Sequence, residues 1–195
     1  MRAPPPPQVR AQFLKLSLRA LERADPALRE AAIRLLGEDL QAIRGARALS
    51  WMPVSRLLRM SEAAHAQGGP AALEALVLDT MRLALAAPLF NRVVRVAIDS
   101  LGLGPPQVAR WAPGVYGLAF RGTGTMTVPR VDDDTALVVF RDVPEECLQR
   151  PAYVLALGHA LSFFFELTRR PGEVRALPRE PGSREIAFEL RVSPG

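Results

Sequence analysis

His159, Ser162, Glu166 and Arg169 stand at i, i+3, i+7 and i+10 in an apolar run, a spacing that places all four on one narrow stripe of a helix. A hydroxyl, an imidazole and a carboxylate are the parts of a nucleophile, its base and an orienting acid. The same stripe is also how an apolar helix meets solvent or a polar seam, because residues three and four apart are neighbours on a helix surface. No glycine-flanked serine forms a nucleophile elbow and no glycine-rich oxyanion loop precedes a helix, so the pattern does not point to hydrolysis.

The other reactive residue types lead no further. His65 and His159 are the only histidines, so a histidine-rich metal site is excluded and any metal would need carboxylates. His65 precedes Gly68, where an imidazole suits the end of a helix. Asp132, Asp133 and Asp134 lack calcium-loop spacing and sit where a hairpin needs turn residues. Gly122-Thr123-Gly124 is followed by strand-forming residues and no lysine, which is not a phosphate loop. Cys147 follows Glu145 and Glu146, whose charge disfavours a thiolate. The expectation is no catalytic residue, no cofactor-binding residue and no metal ligand.

These residues need elements to hold them. Val9 to Leu21 carries apolar positions at helical spacing, and Asp25-Pro26 supplies a cap and a first-turn proline for a second helix that stops at Gly37. Gly45 to Ser50 is a connection, with Ser50 capping a third helix that ends before Gly68-Gly69. Pro70 opens a fourth helix, apolar nearly all round and therefore central, and after Pro88 a fifth turns Phe90, Val93, Val94, Ala97, Ile98 and Leu101 inward. Gly104 to Gly117 is rich in turn residues. The period then changes to two: Thr123 to Val128 and Ala136 to Phe140 form a hairpin, Pro151 begins a helix to Arg169, and Glu173 to Leu177 pairs with Ile186 to Val192. Alternation in the last strand gives one buried and one wet face.

Composition bounds the class. A chain of 195 residues with 49% hydrophobic and 23% charged residues can bury one core without staples. Residues 1–8 form a proline-rich, disordered or extended tail and 9–195 a single domain. One cysteine permits no internal disulfide and suits a reducing, cytoplasmic compartment. The net charge of +5 suggests nucleic acid, but Lys15 is the only lysine and the arginines alternate with acids, as at Glu22-Arg23 and Arg29-Glu30, so no nucleic-acid partner is expected. Met1 to Arg10 lacks the apolar core of a secretory signal. Tyr153 to Leu167, about 15 residues interrupted by His159 and Glu166, reads as a core helix and not a membrane span.

Phe120-Arg121-Gly122-Thr123-Gly124, Phe140-Arg141-Asp142-Val143-Pro144 and Phe188-Glu189-Leu190-Arg191-Val192 follow one another in an order and spacing that resembles a paralogous family greatly expanded in myxobacteria. The second-half layout also resembles a wider superfamily of haem nitric-oxide-binding domains, vinyl-reductase-type ligand-binding domains and small subunits of vesicle-tethering complexes. That resemblance is one of fold and carries no activity with it. Haem-binding members hold the propionates with a Tyr-x-Ser-x-Arg run, which this sequence lacks; tethering subunits hold an acyl chain on a cysteine before the strands, whereas Cys147 lies after the second.

The expected fold is α+β: an N-terminal helical half followed by β-β-α-β-β, with a four-stranded antiparallel sheet packed on helices. The expected function is a non-catalytic interaction or regulatory module that self-associates; the alternative is a sensor holding a small apolar or amphipathic ligand between helices and sheet. Leu78 and Leu85, on the side of the fourth helix away from its main stripe, are the candidate surface of a homodimer. Tyr153, Phe163 and Phe164 are the candidate pocket residues.

Overall fold

The computed structural model describes residues 6–86, 98 and 100–194. The chain opens with β1 (Gln8–Arg10), α1 (Ala11–Arg23), α2 (Pro26–Leu36), α3 (Asp39–Gly45), β2 (Trp51–Pro53) and α4 (Ser55–Leu85). Two short helices, α5 (Pro105–Ala109) and α6 (Ala112–Ala119), lead into β3 (Phe120–Arg121), β4 (Thr125–Val131) and β5 (Thr135–Arg141). After them come α7 (Glu145–Leu148), α8 (Pro151–Thr168), β6 (Gly172–Ala176) and β7 (Ile186–Val192). This is the expected α+β arrangement, with the four-stranded antiparallel sheet in the order β4-β5-β7-β6.

Local chemistry sets the helix boundaries. The Asp25 carboxylate accepts a hydrogen bond from the Ala27 N–H at 2.8 Å, Pro26 fills the first helical position, and Gly37 ends α2 at φ +50°. Such a cap contributes about 1 kcal/mol. Gly68 and Gly69 leave helical geometry and Pro70 restarts it, so α4 is two helical segments joined at a kink. The second segment buries Leu73, Leu76 and Thr80. Its Leu78 and Leu85, the candidate dimer residues, are half-buried.

In the sheet, Ala136, Val138 and Phe140 of β5 face Leu190, Phe188 and Ile186 of β7, and all six are buried. Alternation thus works as expected, with Arg191 on the wet face. α8 packs against α4 on one side and against β6 and β7 on the other. By length and composition alone its 18 residues would suffice to cross a membrane, as those of a core helix can; here it joins the helical half to the sheet.

Several expectations are corrected. Gln8 to Arg10 is a strand and not the start of a helix, and Gln8 pairs with Pro53 and Arg121, so ordered structure begins inside the supposed tail. Ser50 caps no helix: its hydroxyl donates to the Arg47 carbonyl at 2.7 Å, and Trp51–Pro53 form β2 before α4 begins. β1, β2 and β3 make a small second sheet in the order β2-β1-β3, closed by residues far apart in sequence and therefore invisible to local periodicity. α3 was also missed, and the stretch from Gly104 to Gly117 holds α5 and most of α6. Of the fifth helix, Phe90, Val93, Val94 and Ala97 lie outside the described residues; Ile98 is buried, but Leu101 is exposed and not inward.

Candidate functional site

Three hydroxyls converge where α6, the β3–β4 turn and α8 meet. The Tyr116 phenol lies 2.8 Å from Thr123 Oγ1, 3.3 Å from the Thr123 carbonyl and 3.4 Å from the Tyr153 phenol. Each arrives by a different local device. Pro151 opens α8 and places Tyr153 in its first turn. Gly122 and Gly124, at φ +67° and +101°, fold the chain back so that Thr123 points inward with 0% exposure. A Cβ on Gly124 would stand 2.5 Å from the Arg141 carbonyl oxygen, so this turn requires glycine. Tyr116 projects from the inner side of α6, where Ala112 is also buried.

Aromatic rings wall the cluster. Tyr116 stacks on Phe120 at 4.9 Å and meets Phe140 edge-on at 5.3 Å; Phe120 in turn touches Phe13 of α1, and Phe140 touches Phe188 of β7. The seam therefore runs from the helical half to the sheet. Burial pushes both phenols up, Tyr153 further, while the hydrogen bond to Thr123 opposes the shift at Tyr116. Both stay protonated at neutral pH, so they can offer or receive a hydrogen bond but cannot act as phenolates. Nearby, burial raises the Cys147 thiol to about 11, with Glu146 adding to the shift and Arg150 opposing it. A thiol of that kind is not a nucleophile at neutral pH.

Of the expected pocket residues, Tyr153 and Phe163 are buried and Phe164 is half-buried. The two surface depressions described, about 440 Å³ beside Asp134, Arg191 and Ser193 and about 220 Å³ beside Lys15, Glu22 and Arg44, touch none of the three. Reading the sequence singled out Tyr153 but missed Tyr116 and the role of Thr123, since only the fold brings α6 over the Gly-Thr-Gly turn. Adjacent glycines flanking a hydroxyl residue were the one available signal.

The polar stripe of α8 does not assemble a relay. The Ser162 hydroxyl donates to the His159 carbonyl at 2.8 Å, within its own helix. Both Glu166 carboxylate oxygens accept from Arg82 of α4 at 2.8 Å, and Arg82 also reaches Asp79 at 2.6 Å. His159 is half-buried; burial lowers its pKa against the pull of Glu74, and Nε2 has no hydrogen-bond partner among the described residues. Arg169 adopts a left-handed conformation and ends the helix. Among the described residues no three potential metal ligands cluster.

This arrangement, an N-terminal helical half over a four-stranded antiparallel sheet, is similar in fold to solved H-NOX domains. The chain aligns with the Fe(II) unliganded H-NOX protein from K. algicida over 95% of this chain and 97% of that one, at 12% identity and a TM-score of 0.57. A Cs H-NOX mutant carrying 4-cyano-L-phenylalanine aligns over 95% and 97%, at 10% identity and a TM-score of 0.65. An oxygen-binding H-NOX domain related to soluble guanylate cyclases aligns over 95% of each chain, at 10% identity and a TM-score of 0.59. At such identities the likeness is one of fold. No family model and no curated protein matches the sequence.

Proposed function

We propose that this chain is a non-catalytic sensor module built on the H-NOX fold, taking a small apolar or amphipathic molecule between its helices and sheet. The observation that carries the reading is the Tyr116–Thr123–Tyr153 cluster: neutral hydroxyls gathered in an aromatic seam that bridges the two halves. Ligand sites combine apolar walls with a few convergent polar groups of this kind. Among the described residues the Tyr153 phenol makes only the long 3.4 Å contact, which suits it to bond a carbonyl or hydroxyl of a ligand. No group beside it is ionised and nucleophilic, which supports binding over catalysis.

Haem is the group this fold implies, and the residues here do not suit it. The orphaned imidazole nitrogens are His65 Nδ1 and His159 Nε2, on α4 and α8, two helices packed against one another. Neither depression among the described residues reaches either histidine. The Tyr-x-Ser-x-Arg run that resembling haem proteins use for the propionates is missing, and Arg82, close to α8, is already held by Glu166 and Asp79. These residues support a ligand other than haem.

Native mass spectrometry of the purified chain tests the proposal. A retained small molecule that is lost in Tyr153→Phe is the expected result. The bare chain mass, with no shift in melting temperature across a panel of amphipathic carbonyl and hydroxyl compounds, would refute it. A Soret band in freshly purified protein that vanishes in His159→Ala would refute the haem-free reading.

A further inference from the structure

While α6 turns Tyr116 inward, its outer face is apolar and uncovered. Trp111, Val115 and Leu118 lie at i, i+4 and i+7, on one side of the helix, and all three are exposed, Leu118 by 72%. Leu49, in the turn before β2, is 77% exposed and stands beside them, because the Arg10 guanidinium donates to both the Leu118 carbonyl, at 3.2 Å, and the Leu49 carbonyl. Two separate segments are thereby held together at one exposed apolar corner. Trp51 lies under it, its ring covered by the guanidiniums of Arg10, at 3.8 Å, and Arg121, at 4.5 Å.

The charge around this corner is basic. Residues 8–10, 46–53 and 105–121, which build it, contain no aspartate or glutamate. Several other arginines are held in ion pairs: Arg44 with Glu22, Arg56 and Arg59 with Asp39, Arg82 with Glu166, Arg130 with Asp132, Arg141 with Glu185, Arg150 with Glu62 and Arg191 with Glu189. Among the described residues, Arg10, Arg47, Arg110 and Arg121 form no ion pair, Arg10 and Arg121 instead meeting carbonyls, the Gln8 amide and the Trp51 ring. Folding brings these three segments together, because β1 pairs with both β2 and β3.

We infer that this corner docks the protein on an anionic phospholipid bilayer surface, with Leu49, Trp111, Val115 and Leu118 entering the interface and the unpaired arginines meeting lipid phosphates and carboxylates. Charge complementarity demands an anionic occupant and excludes a second copy of the same face, which would set arginine against arginine. Four apolar side chains are fewer than the roughly 20–30 residues that each partner gives to a stable protein interface. They suffice for reversible membrane attachment, which combines modest apolar insertion with a basic patch. Exposed leucines add nothing to nucleic-acid binding, whereas a bilayer uses them. This inference does not depend on ligand uptake at Tyr153.

The test is sedimentation of the full chain with sucrose-loaded vesicles at physiological salt. Vesicles of phosphatidylcholine with about 30% phosphatidylserine should bind at least tenfold more tightly than phosphatidylcholine alone, because the basic patch responds to surface potential. Leu49→Glu with Leu118→Glu, and separately Arg47→Glu with Arg110→Glu, should each lower that partitioning at least tenfold while leaving the melting temperature unchanged. Wild-type tryptophan fluorescence should shift to the blue on vesicles, and Trp111→Phe should lose the shift. Failure to sediment with phosphatidylserine vesicles overturns the inference, as does binding unaffected by the leucine changes. Tighter binding to a short DNA duplex than to vesicles also overturns it and assigns the patch to nucleic acid.

Discussion

Removing the Tyr116 hydroxyl should cost more stability than removing that of Tyr153, although Tyr153 is the more deeply buried of the two. In Tyr116→Phe the ring keeps its stacking on Phe120 and its edge contact with Phe140, so only the polar contacts change. The lost oxygen is the one within reach of both other hydroxyls, 2.8 Å from Thr123 Oγ1 and 3.4 Å from the Tyr153 phenol. Thr123 is 0% exposed and Tyr153 is 5% exposed, so neither can turn to water. A buried polar group left unpaired costs about 1–3 kcal/mol, and with two partly orphaned groups the variant should lose about 2–4 kcal/mol. In Tyr153→Phe only the long contact goes, Tyr116 stays paired with Thr123, and the loss should be about 0.5–1.5 kcal/mol. Combining Tyr116→Phe with Thr123→Val removes both ends of the short bond and should cost less than the sum of the single changes. Urea unfolding reads these as shifts in midpoint at constant slope. A Tyr153→Phe variant that loses as much as Tyr116→Phe, or a Tyr116→Phe variant indistinguishable from wild type, would show that the cluster is not organised around Tyr116.

Gly172→Ala should prevent stable folding, because a Cβ there would collide with Phe165 Cε1 and stand 2.5 Å from the Arg191 carbonyl oxygen; soluble yield and circular dichroism would show it, and a native-like melt would contradict it. Cys147 should resist a thiol reagent at pH 8 until urea unfolds the chain. Its folded pKa of about 11 lies above the ordinary 9.0, so the unfolded thiol ionises first and stability should fall as pH rises across that window, less steeply in Cys147→Ala. His159 has the opposite sign: its pKa is lowered, so its contribution is present above the ordinary 6.5 and is lost as pH falls below it, a decline that His159→Leu should remove from the urea midpoint. The homodimer proposed through Leu78 and Leu85 should give twice the chain mass in light scattering at micromolar concentration; Leu78→Glu with Leu85→Glu should halve that mass, and a monomer from the start would discard the proposal.

Elements whose causes are local were legible in the sequence. Asp25-Pro26 and Gly37 bound α2 because capping, a fixed φ and a left-handed glycine act within a few residues. The alternation of Ile186, Phe188 and Leu190 marked a half-buried strand because side-chain direction reverses at every residue. Asp132 makes the expected turn, its N–H donating to the Thr135 carbonyl at 2.8 Å. Composition told of a foldable chain without disulfides or a histidine-rich metal site. The small sheet was hidden because Val9 pairs with Met52 and Phe120, partners that no window of periodicity spans. For the same reason the Thr123 hydroxyl became meaningful only once α6 had brought Tyr116 across it and α8 had brought Tyr153. The basic apolar corner had the same origin. Each of its segments reads as an ordinary arginine-bearing stretch, and only tertiary contact, through the Arg10 guanidinium on the Leu49 and Leu118 carbonyls, sums their charge and their exposed side chains in one place.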